Sequence, residues 1–166
     1  LRLEGAVESF LPLDLDNDGD LDVFAGRGNA ILWIENRGGK PRVSELKGIS
    51  APPASAASLS VAAADLEGDG KLDVISCGAG VRLTLWRNVT RVIYPAVTIR
   101  PVGSRDNRDG TGTHIELFAG SRYQRRLVEG SGAACGTGGV RFGLGETALD
   151  ALDGFELLWP NGIAQP

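Results

Sequence analysis

The chain has 166 residues, of which 42% are hydrophobic, and it contains 24 glycines against 8 prolines. This length suits one compact domain or two small ones with a real core, and the composition predicts an all-β protein rich in turns. The formal net charge of -4, without a basic stripe carrying interleaved aromatic residues, argues against nucleic acid as a partner.

No run of 18 or more apolar residues occurs, so we expect no membrane span. The sequence has neither a signal-peptide pattern nor a methionine, and we therefore expect a processed product or a piece of a longer protein. Cys77 and Cys135 allow one disulfide at most; the alternative is two small thiols. The triplet Asn88-Val89-Thr90 is a glycosylation pattern that matters only in a secretory pathway that modifies it.

The first unit, about residues 7–48, contains four short runs typical of strands. These runs cover residues 8–15, 21–26, 30–36 and 41–47. Because glycine-bearing turns separate the runs, the pattern predicts a small antiparallel sheet.

An acidic loop, DLDNDGDLD at residues 14–22, lies between the first two runs, with acids at offsets 1, 3, 5 and 9. Carboxylates this close repel one another unless a cation lies among them, and hard oxygen donors suit Ca2+ better than a transition metal. Gly19 at offset 6 supplies the positive φ that the bend needs. The predicted ligands are the side chains of Asp14, Asp16, Asp18 and Asp22 and the backbone carbonyl of Asp20.

The second unit, about residues 58–91, follows a connection rich in Ala, Pro and Ser at residues 50–60 and repeats the same order. Its strand runs cover residues 58–66, 72–78 and 81–88, and its loop is DLEGDGKLD at residues 65–73. The predicted ligands are the side chains of Asp65, Glu67, Asp69 and Asp73 and the backbone carbonyl of Lys71. Two Ca2+ sites are therefore expected, and the alternative for each loop is a solvated acidic turn that binds nothing.

Neither loop fits an EF-hand, although the opening of the pattern is shared. An EF-hand needs a bidentate acid at offset 12 and a helix on each side, whereas offset 12 is Ala25 in one loop and Ser76 in the other. The flanks LDVFAG and LDVISCG have no helical periodicity. Both loops are therefore predicted to connect strands.

The spacing of the two loops indicates a structural repeat. Asp14 and Asp65 are 51 residues apart, and Trp33 and Trp86 follow their loops at nearly matching distances. A period in this range with four strands per unit is typical of propeller blades. We interpret each tryptophan as a packing residue on the third strand, with a ligand platform as the alternative.

The pattern changes from about residue 92. Strand runs are predicted at residues 92–103, 113–120, 122–130, 140–145 and 155–162, with a turn at 106–112 whose acids are too sparse for another metal loop. In the run at 113–120, Ile115 and Leu117 occupy one face, opposite His114, Glu116 and Phe118. The helix candidate at residues 146–152 is too short to alter the class.

Residues up to about 91, with their D-x-D-x-D-G-x-x-D pattern, resemble two FG-GAP or VCBS repeats, the blades of integrin-type propellers. Four ordered motifs in the remainder resemble the ASPIC/UnbV domain of cartilage acidic protein and many secreted bacterial proteins. These motifs are NRDGTGTHIELFAG at 107–120, GSG at 130–132, RFGLG at 141–145 and LLWPNG at 157–162. The resemblance implies an all-β fold with two propeller-blade-like four-stranded antiparallel units at residues 1–91 and a β-sandwich-like ASPIC/UnbV domain at 92–166.

Two departures from these families affect the function and the architecture that the resemblance implies. Relatives usually carry an aromatic-leucine pair just after the GSG, whereas this chain has Ala133, Ala134 and Cys135. Two blades also cannot close a ring. Either further blades belong to the propeller, or the two sheets pack on each other and on the third β unit and leave edges for neighbouring chains.

These observations predict an extracellular or cell-surface calcium-binding module with a structural or adhesive role. Its partners would be other proteins, extracellular glycans or copies of itself. One alternative is a subunit of a self-assembling filament or surface layer that uses exposed β edges; another is a non-catalytic fragment of a larger secreted enzyme.

An enzyme is not expected. The single histidine, His114, lies in an alternating strand, neither cysteine has a histidine nearby in sequence, and no serine occupies a G-x-S-x-G motif. The paired acids that a glycosidase could use already belong to the metal-loop patterns.

Overall fold

The structure is a computed structural model that describes residues 7, 9–27, 30–46, 59–78, 83–89, 94–104, 107–129 and 139–166. Several predicted features lie outside these residues: most of the connection at 50–60, Thr90 of the glycosylation triplet, Asp106, the GSG at 130–132, and Ala133, Ala134 and Cys135. In the described residues, the all-β prediction is confirmed, since every regular element except one 3₁₀ helix is a strand.

The first unit forms the predicted four-stranded antiparallel sheet. Its strands are β1 (Ser9–Leu13), β2 (Asp22–Arg27), β3 (Ala30–Arg37) and β4 (Lys40–Leu46), which lie in sequence order. Leu11 and Leu13 of β1 are buried, whereas Phe10 and Pro12 between and beside them are exposed, as expected of a strand with one face on a core. A two-residue turn with positive φ at Gly38 and Gly39 joins β3 to β4, which is the geometry of a type I′ hairpin.

The second unit forms an antiparallel sheet of β5 (Leu59–Ala64), β6 (Asp73–Gly78) and β7 (Thr84–Trp86), in that order. Four strands were predicted for this unit; three lie in the described part of the chain, which omits residues 79–82 and 90–93. Strand β5 lies next to β1 and β2. The buried apolar residues of the two sheets, with Leu72 just before β6, are Leu11, Leu13, Phe24, Ala25, Ile31, Leu32, Ala63, Leu72 and Val74.

The C-terminal part contains two antiparallel sheets. Its strands are β8 (Ala96–Ile99), β9 (His114–Ala119), β10 (Arg122–Leu127), β11 (Val140–Gly143), β12 (Leu152–Leu158) and β13 (Ala164–Gln165). One sheet has the order β10-β9-β12-β13, and the other pairs β11 with β8. The helix candidate at 146–152 is one 3₁₀ turn, Leu149–Ala151, after which the chain enters β12 directly.

Both C-terminal sheets contribute to one apolar core. Ile99 and Phe142 come from the two-stranded sheet, and Ile115, Leu117 and Leu157 come from the four-stranded one. Full burial of each such side chain contributes about 1.5–3 kcal/mol. The alternation predicted for residues 113–120 is confirmed, because Ile115 and Leu117 are buried while Phe118 is exposed.

By its contacts the chain forms two compact units. One consists of Leu1–Leu15 and Asp20–Arg91; the other consists of Asp16–Gly19 and Val92–Pro166. Assignment of the four-residue tip of the first acidic loop to the C-terminal unit is not predicted by the sequence. In the described ranges, no helix has the length and apolar character needed to cross a membrane.

Candidate metal centre

The first acidic loop connects β1 to β2 and bends at two residues with positive φ. Asn17 has φ of 61° and Gly19 has φ of 93°; asparagine and glycine are the residues that adopt this conformation at least cost. The backbone N–H of Asp18 donates to Oδ1 of Asp16 over 3.3 Å. These bends bring alternate side chains toward one point.

Three of the predicted ligands come together in this loop. Asp14, Asp16 and Asp18 each offer a carboxylate oxygen, and the three oxygens lie within 4.8 Å of one another. Oxygens bound to one Ca2+ at 2.3–2.6 Å are separated by at most about 5 Å, so the observed spacing fits a shared ion. Asp14 is buried and the other two are half-buried, and an all-carboxylate donor set favours a hard cation.

Asp20 and Asp22 make other contacts. Oδ2 of Asp20 accepts from the N–H of Gly38 at 3.2 Å. The buried Asp22 accepts from the backbone N–H of Asn36 at 2.8 Å and from the indole N–H of Trp33 at 3.3 Å. In the part of the chain that the structure describes, the three-carboxylate cluster does not include either residue.

In the second acidic loop, which joins β5 to β6, the carboxylate of the first acid accepts hydrogen bonds from the backbone of the same loop. Oδ1 of Asp65 accepts from the N–H groups of Gly68 and Asp69 at 2.7 and 3.1 Å, and Oδ2 accepts from Gly70 at 2.9 Å. Three backbone donors therefore hold one carboxylate. A cation that used this carboxylate would compete with those hydrogen bonds.

Two further acids of the second loop form ion pairs with basic side chains. The ammonium of Lys71 lies 3.3 Å from Oδ2 of Asp69, and Arg87 forms an ion pair with Glu67. The backbone hydrogen bond from Lys71, followed by its side-chain hydrogen bond and charge, lowers the pKa of Asp69 below its ordinary value. All residues of this loop are described, and no group of three acids suitable for a metal is found among them.

The last acid of the second loop behaves like its counterpart in the first. Asp73 accepts from the backbone N–H of Asn88 at 2.8 Å, as Asp22 accepts from Asn36. The amide nitrogen of Asn88 donates to the carbonyl of Leu15 at 3.4 Å, so attachment of a glycan to that nitrogen would disturb this contact. The glycosylation of Asn88 stays a prediction.

Trp33 and Trp86 make the contacts of packing residues. The ring of Trp33 stacks on Phe24 with centroids 6.3 Å apart. Trp86 donates from its indole N–H to Oγ of Ser76 at 3.1 Å. These contacts agree with the packing interpretation, because a buried or half-buried indole usually finds a partner for its N–H.

The sequence did not point to the residues that hold the tip of the first loop. The guanidinium of Arg122 donates to the backbone carbonyl of Asp18 at 2.6 Å, and that of Arg141 donates to Oδ1 of Asn17 at 3.1 Å. More than 100 residues separate the two partners of each bond. Asn17 at offset 4 carries a local signal, its tolerance of positive φ, but no spacing rule connects it to these arginines.

Comparison with known families supports the repeat interpretation of this region. Residues 14–76 match the model of the FG-GAP-like repeat family, a range that includes both acidic loops. The resemblance to FG-GAP repeats is thus confirmed for this part of the chain. Searches among curated proteins and among solved structures found no match, and the resemblance of residues 92–166 to the ASPIC/UnbV domain stays a prediction.

Proposed function

We propose that this protein is an extracellular, calcium-stabilised β module with a structural or adhesive role. The observation that carries the proposal is the convergence of the Asp14, Asp16 and Asp18 carboxylates within 4.8 Å, in a region that matches FG-GAP-like repeats. Bound Ca2+ would offset the repulsion among these carboxylates and fix the path of the chain between β1 and β2. The function of the ion is architectural.

The two loops are proposed to bind Ca2+ with unequal affinity. In the first loop three carboxylates already converge, so little rearrangement accompanies binding. In the second loop Asp65 is held by three backbone donors and Lys71 neutralises Asp69. Binding there has to displace existing partners, and a second site would be occupied only at higher calcium concentration.

The C-terminal unit is proposed to be an ASPIC/UnbV-like domain. Support comes from the four ordered motifs and from two antiparallel sheets that share one apolar core. Partners of the whole module would be other proteins or extracellular glycans. We propose no catalytic activity, because the only histidine, His114, is half-buried on the outer face of β9, and the convergent carboxylates are accounted for by a cation.

The decisive experiment is a thermal and chemical denaturation series in EDTA and in increasing Ca2+. Binding to the folded state alone adds RT ln(1 + [Ca]/Kd), about 2.7 kcal/mol when free ion is 100 times Kd. Asp16→Asn, which retains an acceptor for the N–H of Asp18, should lose most of this gain. The matched control Glu146→Gln removes an exposed carboxylate outside the loops and should retain it.

Two results would overturn the calcium proposal. One is a wild-type melting temperature that does not change up to millimolar Ca2+. The other is an equal gain in the wild-type protein and in Asp16→Asn, which would locate binding elsewhere. Mg2+ provides a specificity test, since it demands a tighter octahedral shell and should stabilise the protein less.

A second candidate function is self-assembly through sheet edges. In the described residues β7 pairs only with β6. Leu83, just before this strand, is 69% exposed, and Leu85, within it, is 52% exposed. Such an edge is suited to strand addition from another copy. Light scattering after size exclusion separates the candidates: a single 17.4 kDa species removes this one, whereas larger species that dissociate in Leu85→Lys support it.

A further inference from the structure

The C-terminal unit includes four residues from the first acidic loop, Asp16–Gly19, here called the loop tip. Asn17 of the loop tip is only 1% exposed. Its amide nitrogen donates to the carbonyl of Tyr94 at 3.0 Å, and its amide oxygen accepts from Arg141 at 3.1 Å. Its backbone carbonyl accepts from the N–H of Gly145 at 2.8 Å. One side chain and one peptide group are thus bound at three places.

The next two carbonyls of the loop tip accept from arginines of β10. Arg122 donates to the carbonyl of Asp18 at 2.6 Å, and Arg126 approaches the carbonyl of Gly19 at 3.5 Å. The guanidinium of Arg126 also lies over the ring of Phe142, 5.9 Å from its centroid, so it is anchored on the core of the C-terminal unit. Asn17, Asp18 and Gly19 are thus each bound by residues scattered from 94 to 145.

The same four residues also carry two of the converging carboxylates. Asp16 and Asp18 flank Asn17 directly, so a cation that fixes those carboxylates fixes the peptide groups that Arg122 and Gly145 contact. Two equilibria that constrain one short backbone segment are thermodynamically linked, and the linkage is reciprocal.

We propose that the loop tip is an integral part of the C-terminal unit, and that Ca2+ bound by the aspartate cluster stabilises the contacts that hold the loop tip there, with Asn17 as the positioning residue. This inference rests on the proposed function, because it requires the cluster to bind the ion. It adds that the effect of the ion reaches the C-terminal residues that contact the loop tip.

Amide hydrogen exchange of the intact protein tests the inference. If the N–H of Gly145 is released only when the loop tip and its ion come away, its exchange should slow by about 1 + [Ca]/Kd, or roughly 100-fold at 100 times Kd. The amides of Gly112 and Val128 are internal controls, since they donate to Val128 and Thr113 at 2.8 Å and do not contact the loop tip. Their exchange should slow much less.

A variant that keeps every carboxylate isolates the positioning role. Asn17→Gly accepts the positive φ but removes both side-chain hydrogen bonds, so Ca2+ should still bind while the slowing at Gly145 falls several-fold. The wild-type exchange measurement remains decisive if this variant does not fold.

Calorimetric titration of Ca2+ on the same samples separates binding of the ion from its effect on the contacts of the loop tip. Binding heat with unchanged exchange at Gly145 would overturn the inference and leave the proposed function standing. Equal slowing at Gly145, Gly112 and Val128 would also overturn it, since the ion would then act on the protein as a whole. Absence of binding heat would overturn both.

Discussion

Oδ1 of Asp22 accepts a 2.8 Å hydrogen bond from the backbone N–H of Asn36, which lies near the end of β3. The same relationship recurs one repeat later, where Oδ1 of Asp73 accepts from the N–H of Asn88 at 2.8 Å. The last aspartate of each acidic loop is the first residue of a strand. In each unit it is hydrogen-bonded to a residue near or beyond the end of the strand that follows. Both carboxylates are buried, so this bond contributes to the blade whether or not an ion is bound.

The first prediction follows from this bond. Asp22→Ala should lower the free energy of unfolding by about 1–3 kcal/mol even in EDTA, because the part-buried N–H groups of Asn36 and Trp33 lose their acceptor. Asp22→Asn keeps an acceptor oxygen and should cost less. Urea denaturation in EDTA measures both changes. If Asp22→Ala changed stability only in the presence of Ca2+, the carboxylate would act as an ion ligand and not as a structural acceptor.

The second prediction concerns the weaker loop. In an Asp16→Asn background that disables the first loop, Lys71→Gln should tighten the remaining calcium binding by about 3- to 10-fold, because it removes a positive charge close to the incoming ion. Calorimetric titration provides the affinity. Arg108→Gln is the matched control, since it removes an exposed cation remote in sequence from both loops. Equal changes in the two variants would mean that net charge, and not Lys71 itself, limits binding.

Local pattern was sufficient to predict the strands and the first loop. Alternation placed Ile115 and Leu117 in the core, and acids at offsets 1, 3 and 5 predicted a cluster that the folded loop forms. The ligand role of the acid at offset 9 stays a prediction. The structure shows hydrogen bonds of this acid that the spacing could not predict. Asp22 and Asp73 find backbone donors 14 and 15 residues away, on a strand whose register the acidic pattern does not encode.

The rest of the site depends on contacts over long sequence separations. Asn17 binds Tyr94, 77 residues away, and Arg141, 124 residues away, and such pairs exist only after the sheets have formed. The second loop differs for a chemical reason. Its acidic pattern matches that of the first loop. However, both carboxylate oxygens of Asp65 accept hydrogen bonds from backbone N–H groups of the same loop, and Lys71 forms an ion pair with Asp69.

The third prediction concerns Asp109 in the turn before β9. The side-chain and then the backbone hydrogen bond from Thr111 lower the pKa of Asp109 below its ordinary value. A pKa lowered by folding contributes stability that is present above the unfolded-state value, about 3.9, and is lost as the pH falls through the lower folded value. Thr111→Val should raise the Asp109 midpoint toward that of the unfolded chain, measured by NMR titration. An unchanged midpoint would mean that the hydroxyl contributes nothing.

The last prediction compares the equivalent glycines of the two loops. Gly19 and Gly70 both have positive φ, of 93° and 82°. A Cβ added at Gly19 would lie 2.5 Å from Nη1 of Arg122 and 3.2 Å from the carbonyl oxygen of Gly143. A Cβ added at Gly70 would meet nothing within 4 Å. Gly70→Ala should therefore cost only the conformational term, about 1–2 kcal/mol. Gly19→Ala should cost that and about 1–3 kcal/mol more, because the loop tip has to move away from the rest of the C-terminal unit or displace Arg122. Urea denaturation of both variants in EDTA removes the contribution of bound ion from the comparison. Equal losses would show that the close approach of Arg122 adds no constraint, and a loss confined to calcium-containing buffer would assign the effect to ion binding instead of packing.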